Sequence, residues 1–453
     1  MNLDEYKSII DSIRDDIIEW EAFTAGHPET GFKEWTNHAY IFKKLQEWGY
    51  DAVEADGIPG LYADIDTRKA GASVLVLAEL DAITCFGHPL ADKITGAAHA
   101  CGHNVQCAAL LAVAYALKQK GALDGLSGRI RLCFVPAEEL IETDFRRELI
   151  EKGVIHYMGG KVEMLYRGWF DGFDAAFMVH VAEGPSGMFY VDRGSNGNIM
   201  KNVLFIGKAA HAGACPWEGI NALNAAVNGL NIVNSLRETF RDEDRVRVHG
   251  IITNGGSAPN TVPDSVRLEY KVRAASLKGM TDANRKVNRA LSAAAASVGA
   301  RVRISDRLGY MPLRNDRNLT LLAIKAMKEV VDESGIRDNY DNISGGCTDM
   351  GDLSAIMPCV HLYASGASGH GHGSDYEVSD IDSACLNPAK LQLALLKLLL
   401  EDGGREAKRI SKDFKPVFKD KSEYFDALAK LQFDGETVEY LDDGSIAIRA
   451  FGR

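Results

Sequence analysis

Four short, largely apolar runs constrain this chain more than any other feature. They are SVLVLAEL (73–80), RIRLCFVPAEE (129–139), DAAFMVH (174–180) and CVHLYA (359–364). A strand with one wet face alternates apolar and polar residues, whereas a continuous run suits a strand covered on both faces, as in a parallel sheet between helices. Helical segments separate the runs, notably 104–119, so the order predicts an α/β fold with a mostly parallel sheet and crossover helices. Residues 5–50 read as two helices around the turn His27-Pro28-Glu29-Thr30-Gly31. Between about 197 and 314 the rhythm changes. A strand at 202–210 is followed by a helix from Asn221 to about Phe240, strands at 246–252 and 264–273, a helix near 279–298 and a strand at 301–305. This β-α-β-β-α-β order predicts a ferredoxin-like α+β unit. The expected domains are therefore 1–196 together with 315–453, interrupted by an inserted domain at 197–314. An extension after about 405 is expected to end in a hairpin, TVEYLDDGSIAIRAF, turning at Asp442-Asp443-Gly444.

At 453 residues the chain exceeds one ordinary core, in keeping with two domains. A net charge of -12 and the lack of any basic stripe argue against a nucleic-acid partner. The N-terminal stretch MNLDEYKSIIDSIRDD is acidic and amphipathic, unlike a signal peptide, and no apolar run is long enough to span a bilayer. The cytoplasm is the expected location, and the eight cysteines are expected to be reduced thiols.

The strand ends carry the chemistry. The first run stops at Glu79-Leu80-Asp81, the second at Pro136-Ala137-Glu138-Glu139 and the third at His180, while His370 and His372 follow the fourth. Ends of parallel strands are where α/β sheets place ligands. Between the first two runs lies GAAHACGHNVQCAAL (96–110), with His99, Cys101 and His103 on alternate positions just before an apolar helix. Three readings compete for it: a disulfide or redox site, a core histidine among buried thiols, or a metal site. A lone strand-end histidine is usually structural, but several metal-ligating residue types at successive strand ends favour the metal. A thiolate, imidazoles and a carboxylate suit a borderline divalent cation such as zinc, manganese or cobalt.

These segments resemble the M20 metallopeptidase and amidohydrolase family, in its aminoacylase-like branch, which includes auxin-conjugate and aminobenzoyl-glutamate hydrolases. AELDAI (78–83), HACGHN (99–104), PAEE (136–139) and GKAAHAG (207–213) carry the resemblance, supported by GGSAPNTVPDSVRLEYKVR (255–273) and GCTDMGDLS (346–354). The resemblance implies a zinc-exopeptidase-like sheet domain and an inserted lid and dimerisation domain. It also implies that Cys101, His103, Glu139, His180 and His372 hold one or two divalent transition-metal ions (Mn, Zn or Co) per chain. Glu138 would be the general base, and Asp81 would orient a ligand imidazole, a role that physical reasoning also assigns to a carboxylate at that place. His211, in the inserted domain, would reach across a homodimer to polarise the substrate carbonyl, and Asn260 and Arg273 would hold the substrate. A larger assembly of such dimers is equally compatible.

The chain departs from the family pattern at Asn104, where an acidic residue is usual, and at Glu79 and the continuation AITCFGHP, which lacks the usual leading proline. These positions flank the metal and the cleft, so they bear on the substrate and on the number of ions. The reading reached is hydrolysis of the C–N bond of a small N-acyl amino acid, dipeptide or aryl amide. The alternatives are a hydrolytic deaminase of an activated aromatic amine on the same scaffold, a non-catalytic ligand-binding relative, and a redox thiol protein built on Cys101 and Cys107. Cys107 reads as a core thiol, His99 as a packing or hydrogen-bonding residue, and His361 as structural.

Overall fold

The computed structural model describes residues 1–449 and divides into two compact units. The first comprises Met1–Gly194, Arg314–Ile343 and Asp352–Val417. Its main sheet runs in the order Ala52–Glu54, Leu61–Asp66, Gly128–Val135, Ala72–Glu79, Ala175–Glu183, Cys359–Ser368, Phe189–Ser195. The four apolar runs are the four adjacent parallel strands in its middle, with Val76 paired to Leu132 on one side and Phe177 on the other. Antiparallel strands flank them. The helix His103–Leu117 buries every residue except Tyr115, which explains its lack of a polar face. It packs against the helices Arg14–Gly26 and Asn387–Leu400 and against Ala72–Glu79.

The N-terminal region forms three helices, Leu3–Ser12, Arg14–Gly26 and Trp35–Glu47, where two were expected. The extra break falls at Ile13, whose φ of -109° and ψ of 23° leave the helical well although no Gly or Pro marks the place. Among the described residues no helix is long and apolar enough to cross a membrane.

The second unit comprises Ser195–Leu313, Ser344–Gly351 and the residues from Phe418 onward. Its antiparallel sheet has the order Arg247–Asn254, Ser265–Ala274, Gly197–Ile206, Arg301–Tyr310, Phe433–Glu436. The helices Ala222–Ser235 and Leu277–Ser297 pack on it and on each other. The first four of these strands and the two helices follow the β-α-β-β-α-β order. The expected boundary at 315–453 needs correction, because the tail does not stay with the first unit. Phe433–Glu436 adds an edge strand to Arg301–Tyr310, Val438 enters the second unit's core, and Ser292 and Thr437 share a 2.6 Å hydroxyl–hydroxyl hydrogen bond. The terminal hairpin pairs Val438–Tyr440 with Ile446–Ile448, and Gly444 takes the left-handed φ of +83° that its turn requires. Ala450 and Phe451 of the expected hairpin segment lie outside the described residues.

Candidate metal centre

Each loop at the carboxyl end of the parallel strands is shaped by local constraints before any side chain is considered. Gly102 precedes the helix His103–Leu117 at φ +86°, and a Cβ there would lie 2.2 Å from Val181 Cγ1 and 2.4 Å from the Tyr376 hydroxyl. The loop Pro136–Glu139 turns through Ala137 at φ +57°, held by a 2.7 Å bond from Ala137 N to Glu34 Oε1. Gly160 closes that loop from behind: its N–H donates to Ala137 O at 3.0 Å, and a Cβ on it would sit 1.6 Å from Pro136 O. The late loop is tied to the first by His372 N–H donating to Ala100 O at 2.7 Å, with His372 itself left-handed at φ +66°.

These loops bring Cys101, His103, Glu138, Glu139, His180 and His372 together. The donor atoms of Cys101, His103 and His180 lie within 4.8 Å of one another, as do those of Cys101, Glu139 and His372, and those of His103, Glu138 and Glu139. Of the two late histidines, His372 is in the cluster, while His370 pairs with Asp375 at 2.7 Å in an exposed position. Asp81 lies beneath: His103 Nδ1–H donates to Asp81 O at 2.8 Å and Oδ1 at 3.2 Å, and Asp81 Oδ2 accepts from Glu139 N at 2.8 Å. His180 Nδ1–H donates to Val181 O at 2.6 Å. Both rings are thereby set in the tautomer that turns an Nε2 lone pair toward the cluster.

The donor set fits a divalent cation. His103 Nε2 is buried and, among the described residues, has no hydrogen-bond partner, although Glu79 Oε2 lies 3.2 Å from it. Cys101 Sγ is 3.6 Å from His180 Nε2, and His372 Nε2 is 3.0 Å from Glu139 Oε1. Bonds of about 2.0–2.3 Å to one ion, meeting at about 90–110°, would space donor atoms roughly 2.8–3.8 Å apart. Burial raises the Cys101 thiol, but the adjacent His103 and His180 outweigh it and pull it down to about 6, so the thiolate prevails at neutral pH. Burial also raises the Glu139 carboxyl, yet its bond from His372 leaves it below the usual range; His372 in turn is pushed up to about 10 by Cys101 and Glu139. All eight cysteines are free, and Cys107 Sγ donates to Glu79 O within the core, away from any redox partnership with Cys101.

Two residues beside the cluster carried no usable signal in the sequence. Lys161, within the short helix Gly160–Tyr166, is fully buried and reaches Glu79 Oε1 at 2.5 Å, while Glu79 Oε2 accepts from Gln106 Nε2 at 2.8 Å and lies 3.2 Å from His103 Nε2. His361 is buried, with its ring 5.7 Å from that of His180 and with both ring nitrogens unpartnered.

His211, Asn260 and Arg273 all lie in the second unit. His211 and Asn260 occupy paired loops: Ala212 N donates to Asn260 O at 3.0 Å, and His211 bridges Thr261. His211 Nδ1 accepts from Gly213 N at 3.2 Å and Ala214 N at 3.0 Å, so its exposed Nε2 carries the proton as a donor. Arg273 is half-buried on the strand Ser265–Ala274, with its Nε unpartnered.

A thiolate, imidazoles and paired carboxylates at the ends of parallel strands define the site of a metallohydrolase. The chain belongs to peptidase family M20/M25/M40, which matches residues 60–390. It is similar to the Xaa-Arg dipeptidase of Mus musculus, with 32% identity over 277 residues, or 60% of this chain and 58% of that protein. The match therefore spans little more than half of that relative's length. The N-acetyl-L-cysteine deacetylase of Bacillus subtilis is 28% identical over 326 residues, covering 68% of this chain and 71% of the deacetylase. Among solved structures, a dinuclear metal-binding M20 peptidase of Bacillus subtilis superimposes with a TM-score of 0.66 at 21% identity, covering 86% of this chain and 99% of that one.

Proposed function

We propose that this protein hydrolyses the C–N bond of a small N-acyl amino acid, dipeptide or aryl amide with the help of one or two divalent ions (Mn, Zn or Co). The observation that carries the reading is the convergence of Cys101, His103, Glu139, His180 and His372 with Glu138 beside them. Those five residues hold the metal, whose chemistry when bound is Lewis-acid polarisation and acidification of water. Asp81 fixes the His103 tautomer through the Nδ1–H bond. Glu138, adjacent to a ligand but distinct from it, takes the proton of the attacking water and returns it to the leaving nitrogen. Asn260 and Arg273 hold the substrate, with the Arg273 guanidinium suited to gripping a carboxylate on two oxygens. His211 donates its Nε2–H to the developing oxyanion, and the second unit mediates a homodimer in which His211 serves the partner subunit's site. Relatives that act on Xaa-Arg dipeptides and on N-acetyl-L-cysteine support the amide class.

Elemental analysis tests the metal assignment. The purified protein is expected to carry at least one transition metal per chain, and Cys101→Ala is expected to lower that content. Full occupancy in the variant would remove Cys101 from the ligand set. A panel of N-acyl amino acids, dipeptides and aminoarenes, assayed for released amine and for ammonia, separates amide hydrolysis from deamination.

The His211 role has its own test. His211→Ala is expected to keep metal and fold while losing kcat, and mixing it with Glu138→Gln should restore activity in exchanged dimers, because one site of each mixed dimer retains both residues. Differently tagged chains verify the exchange. Mixed dimers as inactive as either parent would place His211 within its own chain's site or outside catalysis.

A further inference from the structure

Behind the metal-binding loops the first unit contains a cavity of about 660 Å³ that the proposed reaction does not use. The helix Arg14–Gly26 supplies one apolar wall through Ile18, Ala22 and Ala25, and Leu90, Val378 and Ile381 supply the other. The cavity's polar edge comes from the segments that carry the metal-site residues. His99 and Asn104 flank Cys101 and His103, and Ser374, Asp375 and Tyr376 follow His372.

The charges around this space have one sign. Among the described residues no Lys or Arg lines it, whereas Glu21, Asp375 and Glu377 do. The lining His88 supplies no compensating cation. His88 donates from Nε2 to Tyr376 O at 2.8 Å and accepts at Nδ1 from Leu90 N at 3.1 Å, which is the neutral tautomer. Asp375 is matched by His370 outside the cavity, but among the described residues the Glu377 carboxylate accepts only from the Ser368 hydroxyl at 3.0 Å and the Glu21 carboxylate only from Asn104 Nδ2 at 2.6 Å, both neutral donors. Two lining side chains, each more than nine-tenths buried, also have unsatisfied atoms: Asn104 Oδ1, an acceptor, and both ring nitrogens of His99. Buried polar atoms without partners are costly and call for a ligand or water. Apolar walls, uncompensated carboxylates and an idle acceptor complement a donor-rich cation on an apolar body.

We propose that this cavity binds a small organic cation, a primary ammonium carried by an apolar group, next to the metal centre. The ammonium sits between Glu21 and Glu377, with Asn104 Oδ1 as a further acceptor, and the apolar body lies against Ala25 and Ile381. Because the segments on its polar edge also carry Cys101 and His372, occupancy would be felt at the metal. The inference does not rest on the hydrolase reading, since binding is measured without turnover.

The test titrates benzylamine, benzyl alcohol and benzoate into the full-length, metal-loaded protein by calorimetry at pH 7. Saturable benzylamine binding is expected, about ten-fold or more tighter than benzyl alcohol, with no benzoate binding. Ala25→Phe, which fills the apolar wall, and Glu377→Gln, which removes a carboxylate, should each weaken benzylamine by about five-fold or more while metal content stays unchanged. Equal binding of the three probes, no binding of benzylamine, or affinity unchanged in both variants would overturn the proposal. Run alongside hydrolysis, benzylamine that raises KM alone assigns the cavity to a cationic group of the substrate. A change in kcat at saturating substrate assigns it to a separate effector.

Discussion

Replacing Glu138 with Gln is expected to reduce kcat by about 10²-fold or more while leaving metal content and substrate binding near their wild-type values. The amide keeps the size and much of the hydrogen bonding of the carboxylate but cannot take a proton from water. Glu138 shares a donor cluster with His103 and Glu139, so it lies within reach of anything those two hold. Glu139→Gln is the control, and here the loss should appear first in the metal. The Glu139 carboxylate meets His372 Nε2 at 3.0 Å and is positioned through its backbone by Asp81. Parallel elemental analysis and steady-state kinetics on the two variants decide the matter. Metal loss in Glu138→Gln with occupancy retained in Glu139→Gln would exchange the roles.

The second large effect concerns stability. Lys161→Met is expected to destabilise the first unit by about 3–5 kcal/mol, because it takes the nearest countercharge from the buried Glu79 carboxylate and leaves it the His103 ring 3.2 Å away. Burial raises the Glu79 carboxyl, but Lys161 together with His103, His180 and His361 more than reverses this, so Glu79 stays ionised in the native protein. Both side chains are within 1% of complete burial, so water cannot replace the lost ammonium. The thermal midpoint should fall by roughly 5–10 °C. The double variant Glu79→Gln, Lys161→Met should recover much of the loss, since a neutral amide can keep the Gln106 contact without a charge to compensate. An unchanged midpoint in Lys161→Met would show that Glu79 finds another partner.

What could be read from the sequence followed from burial on both faces. The strand Ala72–Glu79 is covered above and below, so its residues from Val74 to Ala78 are apolar without interruption, and it stands out against any background. Leu61–Asp66 lies farther toward the edge, its burial alternates, and it was not singled out. Phe189–Ser195 and Ile336–Ser344 were missed for a related reason: the first mixes polar residues into its run, and the second is largely exposed. The cluster of donor side chains is legible because Cys101, His103, Glu139 and His180 each abut a recognisable strand or helix end. Lys161 was not, since one lysine in GKVEMLY looks like any solvated helical lysine until the fold carries Glu79 to it. His361 sits inside the run CVHLYA, where a histidine gives no hint of its neighbours. The tail's place in the second unit is not legible in the sequence, because Phe433–Glu436 has only four residues and its membership depends on a partner more than 120 positions earlier.

That short strand also imposes an order of events on synthesis. Every residue of the first unit has been made by Val417, yet the second unit's sheet still lacks the strand beside Arg301–Tyr310. Until Phe433–Glu436 leaves the ribosome, Arg301–Tyr310 presents an open edge, the kind of surface that recruits strands from other chains. Arg301 and Arg303, which later pair with Glu436 and Asp434, meanwhile place positive charge along that edge. The same side chains thus guard the nascent chain against wrong partners and afterwards help to register the right one.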